Sequence, residues 1–161
     1  MTLTHERLLE RLHYNPITGI FMWREPLNNR IKAGNKLAGT IKPSGHWRIT
    51  IDGKFYYAHR LAWFYMTGRW PDGEIDHINS NPTDNSFVNL REATRSQNSA
   101  NTRRRSDNTS GLKGASWSKS RRKWISHIKN QHIGSFTNKE DAHAAYSAAA
   151  EEMFGEFARS S

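Results

Sequence analysis

The sequence predicts an α+β protein made of two small domains. Three observations lead there. Apolar residues alternate in "HWRITI" ahead of an Asp52–Gly53 turn, which is the pattern of a half-buried hairpin. Helical spacing recurs in "LTHERLLERL" and "HRLAWFYMTG". After a basic polar stretch the pattern resets into short strands followed by one alanine-rich helix. The 161 residues suit one ordinary domain or two small ones. The boundaries expected are 1–102 for the first domain, 103–110 for a basic linker and 111–158 for the second.

In chain order, residues 3–12 put Leu8, Leu9 and Leu12 on one helical face. "YNPITG" is a turn and "IFMWRE" a short strand. "KLAGTIKPSGHWRITIDGKFYYAHRL" holds two strands around Asp52–Gly53, with Trp47, Ile49 and Ile51 facing inward. "HRLAWFYMTG" is a short helix stopped by Gly68. "EIDH" starts like a strand and runs into a polar, asparagine-rich loop. Thr94 with Gln97 forms a capping box, so a helix starts there and carries Asn98 on its first turns. Beyond the linker, "LKGASWS", "KWISHIK" and "QHIGSF" are three strands. "TNKEDAHAAYSAAAEEMFG" is a helix with a Thr137–Glu140 box and a Gly155 stop. Ala142, Ala145, Tyr146, Ala149 and Met153 form its apolar stripe.

The charge indicates the partner. The net charge is +9 and the pI about 10.1. Between Asn101 and Phe136 the only acid is Asp107, against Arg103, Arg104, Arg105 and further lysines and arginines. Such an excess calls for a polyanion. A membrane surface would want a basic amphipathic helix, and this segment carries strand and turn signals instead, so nucleic acid is expected. No apolar run approaches the roughly 18 residues of a membrane span, and the N-terminus lacks the apolar core of a signal peptide. The chain has no cysteine, which excludes disulfides and thiolate metal sites and suits a cytoplasmic setting. A bound metal would rest on imidazole, carboxylate, amide or water.

The stretch "EIDHINSNPTDNSFVNL" is the candidate site. Hydrolysis of a phosphodiester needs a base for water, a divalent cation against the phosphate charge, and a group that orients the base. His77 suits the base near neutral pH. Adjacent strand residues point opposite ways, so one of Asp76 and His77 can grip a metal while the other faces water. Asn89 can return on a second strand to hydrogen-bond the imidazole, and Asn98 can complete a metal site on the next helix. A hard cation that keeps several waters needs few protein oxygens. The neighbouring Asn79, Asn81, Asp84 and Asn85 read as turn formers.

These residues carry a resemblance. "YYAHRLAWFYMTGRWPDGEIDHINSNPTDNSFVNLREATRSQNSANTRR", with its ordered "HRL…W", "DH", "DNS..NLR.AT..QN", resembles an HNH endonuclease of the phage and intron homing type. "YNPITGIFMW" is similar to the lead-in of such proteins. The resemblance implies a ββα-metal (His-Me finger) nuclease domain with His77 as general base, Asn89 orienting it, and Asp76 and Asn98 as metal ligands. Asn98 in the third signature position makes it the H-N-N variant. It further implies a divalent metal, Mg²⁺ first and Mn²⁺ as the alternative, no small-molecule cofactor, double-stranded DNA as substrate, and 5′-phosphate and 3′-hydroxyl products. One site per chain fits a nicking monomer, or a dimer if both strands are cut. A phage-encoded chain would work in the cytoplasm of its bacterial host.

"GLKGASWSKSRRKWISHIKNQHIGSFTNKEDAHAAYSAAAEEMFGEFA" resembles an AP2 domain through its "KW…I" strand, "GSF" turn and "EDAHAAY" helix. "LKGA" departs from that family's opening in two side chains. The resemblance implies a three-stranded sheet set into the DNA major groove. Lys113, Ser116 and Ser118 on the first strand and Lys123, His127 and Lys129 on the second are the expected contacts, lysines mainly to phosphate. Arg91, Arg95 and Arg103–Arg105 are further candidates for phosphate contact.

Other readings stand beside these. His59 either supports the site or packs the hairpin onto the following helix. Trp124 is out of phase with Lys123 and His127 and belongs against the alanine-rich helix. The competing functional class is a non-catalytic, sequence-specific DNA-binding protein that uses the same fold as a clamp. An RNA-binding protein has the charge but lacks an evident stacking signature.

Overall fold

The computed structural model describes residues 2–25, 37–104 and 106–159. Contacts divide the chain into two compact units, Met1–Thr94 and Arg95–Ser161. The expected boundary after residue 102 lies further along, so the helix expected to carry Asn98 belongs to the second unit.

The first unit opens with α1 (His5–Arg11), capped by Thr4, whose side chain accepts from Arg7 N at 3.2 Å. The helix stops one residue short of the expected span. Leu12 already belongs to β1 (Leu12–Asn15), which pairs antiparallel with β2 (Ile20–Trp23). Asn15 holds the intervening turn by accepting from Ile17 N and Thr18 N through Oδ1. A three-stranded sheet follows, in the order β3 (Thr40–Ile41), β4 (Trp47–Ile51), β5 (Lys54–Tyr57). Asp52 (φ 48°) and Gly53 (φ 78°) both adopt left-handed backbone, the geometry a two-residue hairpin loop demands. Next comes α2 (Ala58–Thr67), ended by Gly68 at φ 72°. β6 (Glu74–His77) and β7 (Leu90–Ala93) close the unit as an antiparallel pair. One core joins these parts: Leu8, Leu12, Phe21, Ile49, Leu61 and Phe64 pack together with Ile75 and Leu90 from the last two strands. The strands that carry the candidate site are thus anchored to the lead-in segment.

The second unit begins with α3 (Arg95–Ala100). Its sheet runs β10 (Gln131–Phe136), β9 (Lys123–Ile128), β8 (Ala115–Ser118), all antiparallel, with α4 (Lys139–Phe154) packed on it. The cap of α4 is Asn138, not Thr137: its side chain accepts from Asp141 N at 2.7 Å. The buried stripe also differs from expectation. Ala142, Tyr146 and Ala150 are buried, while Met153 is 43% exposed near the helix end. Small residues bring α4 close to the sheet. At Gly114 (φ 75°) an added Cβ would stand 2.0 Å from Tyr146 Cγ. Part of the expected linker is ordered too, since Asn108 Oδ1 accepts from Gly111 N and from Ser110 Oγ.

Candidate active site

β6 ends at His77, and the ladder continues one bond further, from Ile78 N to Asn89 O at 2.9 Å. Between the strands lies a loop that closes on itself. Asn89 Nδ2 donates to Asn79 Oδ1 (3.1 Å) and Asp84 O (2.8 Å), and its Oδ1 accepts from Asn79 N (3.0 Å). Asp84 accepts from Asn79 Nδ2 (2.7 Å) and Ser86 Oγ (2.7 Å). Asn79 and Asp84 are turn formers, as expected of them.

Asn85 is not merely that. It is fully buried, and its Oδ1 lies 3.2 Å from His77 Nε2. Its amide donates to Thr83 O at 3.3 Å, which directs the oxygen at the ring. His77 therefore carries its proton on Nε2, and the lone pair sits on Nδ1. This corrects the expectation that Asn89 bonds the imidazole: Asn89 braces the loop, and Asn85 holds the ring. The lead-in hairpin in turn holds Asn85. Tyr14 OH donates to Asn85 O at 2.7 Å, and Phe87 N donates to Pro16 O at 2.8 Å. A Cβ at Gly19 (φ 71°) would fall 2.3 Å from the Asn85 carbonyl carbon.

Burial lowers the His77 pKa, with the Asn85 bond pulling the other way. The ring is thus neutral near pH 7 and able to accept a proton. His59 packs edge-on to it, with ring centres 5.2 Å apart, and stacks on Tyr57 at 5.5 Å. Burial pushes the His59 pKa down to about 3, helped by His77, His46 and Arg60. Its Nδ1 is buried without a hydrogen-bond partner among the described residues. His59 therefore both packs the strand end onto α2 and borders His77.

Asp76 is buried beside His77, and both side chains are enclosed, so strand alternation does not leave one of them in open water. Arg91, its cross-strand partner, reaches Asp76 Oδ2 at 2.9 Å through both Nε and Nη2. This corrects the reading of Arg91 as a contact for the scissile strand: its side chain is largely buried on the carboxylate. Asn98 is half-buried on α3. Among the described residues no group of three or more His, Cys, Asp or Glu is placed to hold a metal ion. Asp76 carboxylate and Asn98 amide oxygens are hard donors, the chemistry that suits a cation retaining most of its waters.

The other expected contacts lie in the second unit. Ser116, Ser118, Lys123 and His127 share the sheet face opposite α4, and His132 pairs with His127 there at 5.2 Å between ring centres. Trp117 and Trp124 lie on the α4 face and meet each other at 5.4 Å. Lys113 is turned elsewhere. Its Nζ donates to Ala100 O and Thr102 O, both at 2.7 Å, so it caps the end of α3. Lys129 (φ 51°) sits in the β9–β10 turn with its ammonium 4.9 Å from the Phe154 ring. Arg95, Arg103 and Arg104 are exposed, and Arg105 lies outside the described residues.

Asn85 escaped the sequence reading because an asparagine in a polar loop looks like any other.

Residues 56–100 match the family model described as HNH endonuclease. Protein 3.8 of Escherichia phage T7 is 45% identical over 75 residues, which cover 44% of this chain and 62% of the phage protein. An uncharacterized HNH endonuclease, L560, of Acanthamoeba polyphaga mimivirus is 34% identical over 102 residues, covering 62% of this chain and 54% of that protein. The chain spans less than two thirds of the length of either relative. The solved HNH homing endonuclease I-HmuI aligns at 25% identity with a TM-score of 0.42, over 56% of this chain and 51% of that one. The stretch that matches the HNH endonuclease model holds α2, β6, the polar loop, β7 and α3.

Proposed function

We propose that the protein is a metal-dependent DNA endonuclease of the homing type, which hydrolyses a phosphodiester to a 5′-phosphate and a 3′-hydroxyl. The observation that carries this reading is the state of His77. It is a buried imidazole kept neutral, fixed by Asn85 in one tautomer and set beside a buried carboxylate within the HNH segment.

In this reading the His77 imidazole takes a proton from the attacking water. Asn85 holds the ring, and Asn89 keeps the loop closed so that the ring cannot swing. His59 excludes water from the inner side of His77. Asp76 and Asn98 would be the ligands of a divalent cation, Mg²⁺ or Mn²⁺, which would supply positive charge against the phosphate. Arg91 holds the Asp76 carboxylate in place through Nε and Nη2. The second unit acts as an AP2-like targeting module. Ser116, Ser118, Lys123 and His127 present one sheet face to the major groove, and Arg95, Arg103, Arg104 and Arg105 contact phosphates. The viral relatives support a phage or mobile-element origin. A single chain nicks, and two chains are needed to cut both strands.

Supercoiled plasmid incubated with the purified protein and Mg²⁺ tests this. Nicked circles that disappear with EDTA and with His77→Ala support it. One observation favours the second reading, a non-catalytic DNA clamp: Arg91 already neutralises Asp76. Tight gel shifts with a plasmid library left intact in Mg²⁺ and Mn²⁺ would establish the clamp instead.

A further inference from the structure

We infer that His46 is a further catalytic residue, whose Nε2 contacts a non-bridging oxygen of the scissile phosphate. The inference rests on the nuclease reading and adds a substrate contact to it.

His46 precedes β4, far in sequence from the polar loop, yet the fold brings its ring to the site. Its centroid lies 5.5 Å from that of His59 and 6.3 Å from that of His77, with Tyr57 at 5.7 Å. The turn that presents it is closed by Gly45 N to Lys42 O (2.8 Å) and Lys42 N to His46 O (2.9 Å). That turn is docked on the site loop. Gly45 has φ 82°, and a Cβ there would stand 2.7 Å from Pro82 Cγ. Backbone packing thus sets the turn that carries His46 against the site loop.

Of the three imidazoles, His59 and His77 are buried and His46 is half-exposed. Its Nδ1 lies 3.3 Å from Ser44 Oγ. Its Nε2 makes no hydrogen bond among the described residues. When the serine hydroxyl donates to Nδ1, the ring carries its proton on Nε2, on the side away from Ser44. A phosphate placed for attack by water at His77 needs donors for its non-bridging oxygens, whose charge grows in the transition state. Arg91, the cation beside β6, is engaged by Asp76. His59 is sealed from solvent. His46 is the imidazole left with an open nitrogen at the mouth of the site.

The test compares the full-length wild type with His46→Ala and His46→Gln on DNA bearing the mapped cleavage site. Removing one such donor typically slows the chemical step by about 100-fold, and an exposed site falls toward about 10-fold. The expected result is a 10- to 100-fold lower kcat in His46→Ala, partial recovery in His46→Gln, and DNA affinity and melting temperature near wild type. Substrates with a single-isomer phosphorothioate at the scissile position provide the readout a structural role would not move. One isomer should slow the wild type in both Mg²⁺ and Mn²⁺ and should slow His46→Ala no further. Wild-type rates in both variants overturn the inference, as does a slowed His46→Ala that keeps the full phosphorothioate effect. A wild type that cuts no DNA defeats the nuclease reading itself.

Discussion

At the scale of single residues, the site is a chain of supports that ends on one imidazole. His77→Ala should abolish metal-dependent nicking while DNA binding persists, checked by plasmid assay and gel shift side by side. Asn85→Leu keeps the side-chain volume and deletes the acceptor. It should lower kcat by about 10- to 100-fold, an ordinary magnitude for losing the positioning of a general base. His59 gives a stability prediction with a definite sign. Its folded pKa is about 3, whereas an imidazole in the unfolded chain titrates near 6.5. The unfolded state therefore binds the extra proton between those values. Stability is complete above about pH 6.5 and is lost as pH falls toward 3, at up to about 1.4 kcal/mol per pH unit. Urea melts of wild type and His59→Gln between pH 4 and 7 should show a shallower pH slope in the variant. Asp76 and His77 stand out in the sequence because a carboxylate and an imidazole sit side by side at the head of an asparagine-rich run. Asn85 and His46 do not, because burial and a turn from elsewhere in the chain give them their roles, and neither leaves a local periodicity.

At the scale of elements, capping and turn chemistry were read well where the deciding contact is local. Asp52–Gly53, Gly68 and the three strands of the second unit fall where propensity and spacing put them. The reading slipped where two adjacent residues compete for one role, as with Thr137 and Asn138. Asn138→Ala should cost about 1 kcal/mol in chemical denaturation, and Thr137→Ala much less. Lys113 was read as a phosphate anchor from charge alone. Its ammonium is instead given to the carbonyls that end α3, and burial lowers its pKa. Lys113→Met should therefore destabilise the protein by about 1.5–3 kcal/mol, the range for hydrogen bonds to a charged group. The salt dependence of DNA binding should stay close to wild type. A phosphate anchor would give the opposite pair of results, with stability kept and the slope of log K against log salt reduced by about 0.9.

At the scale of the whole molecule, the +9 charge indicated a polyanion before any site was visible, and the order of motifs indicated the chemistry. What order along the chain does not reveal is which parts lean on which. The HNH segment starts at residue 56, but the groups that fix its loop come from outside it: Tyr14, Pro16 and Gly19 from the β1–β2 hairpin, and Gly45 from the turn before β4. This bears on how the matched segment can be reused. A cassette cut at the edges of residues 56–100 and fused to another domain would leave His77 without a scaffold. A portable version has to begin near residue 2, and its hairpin has to travel with the loop it touches.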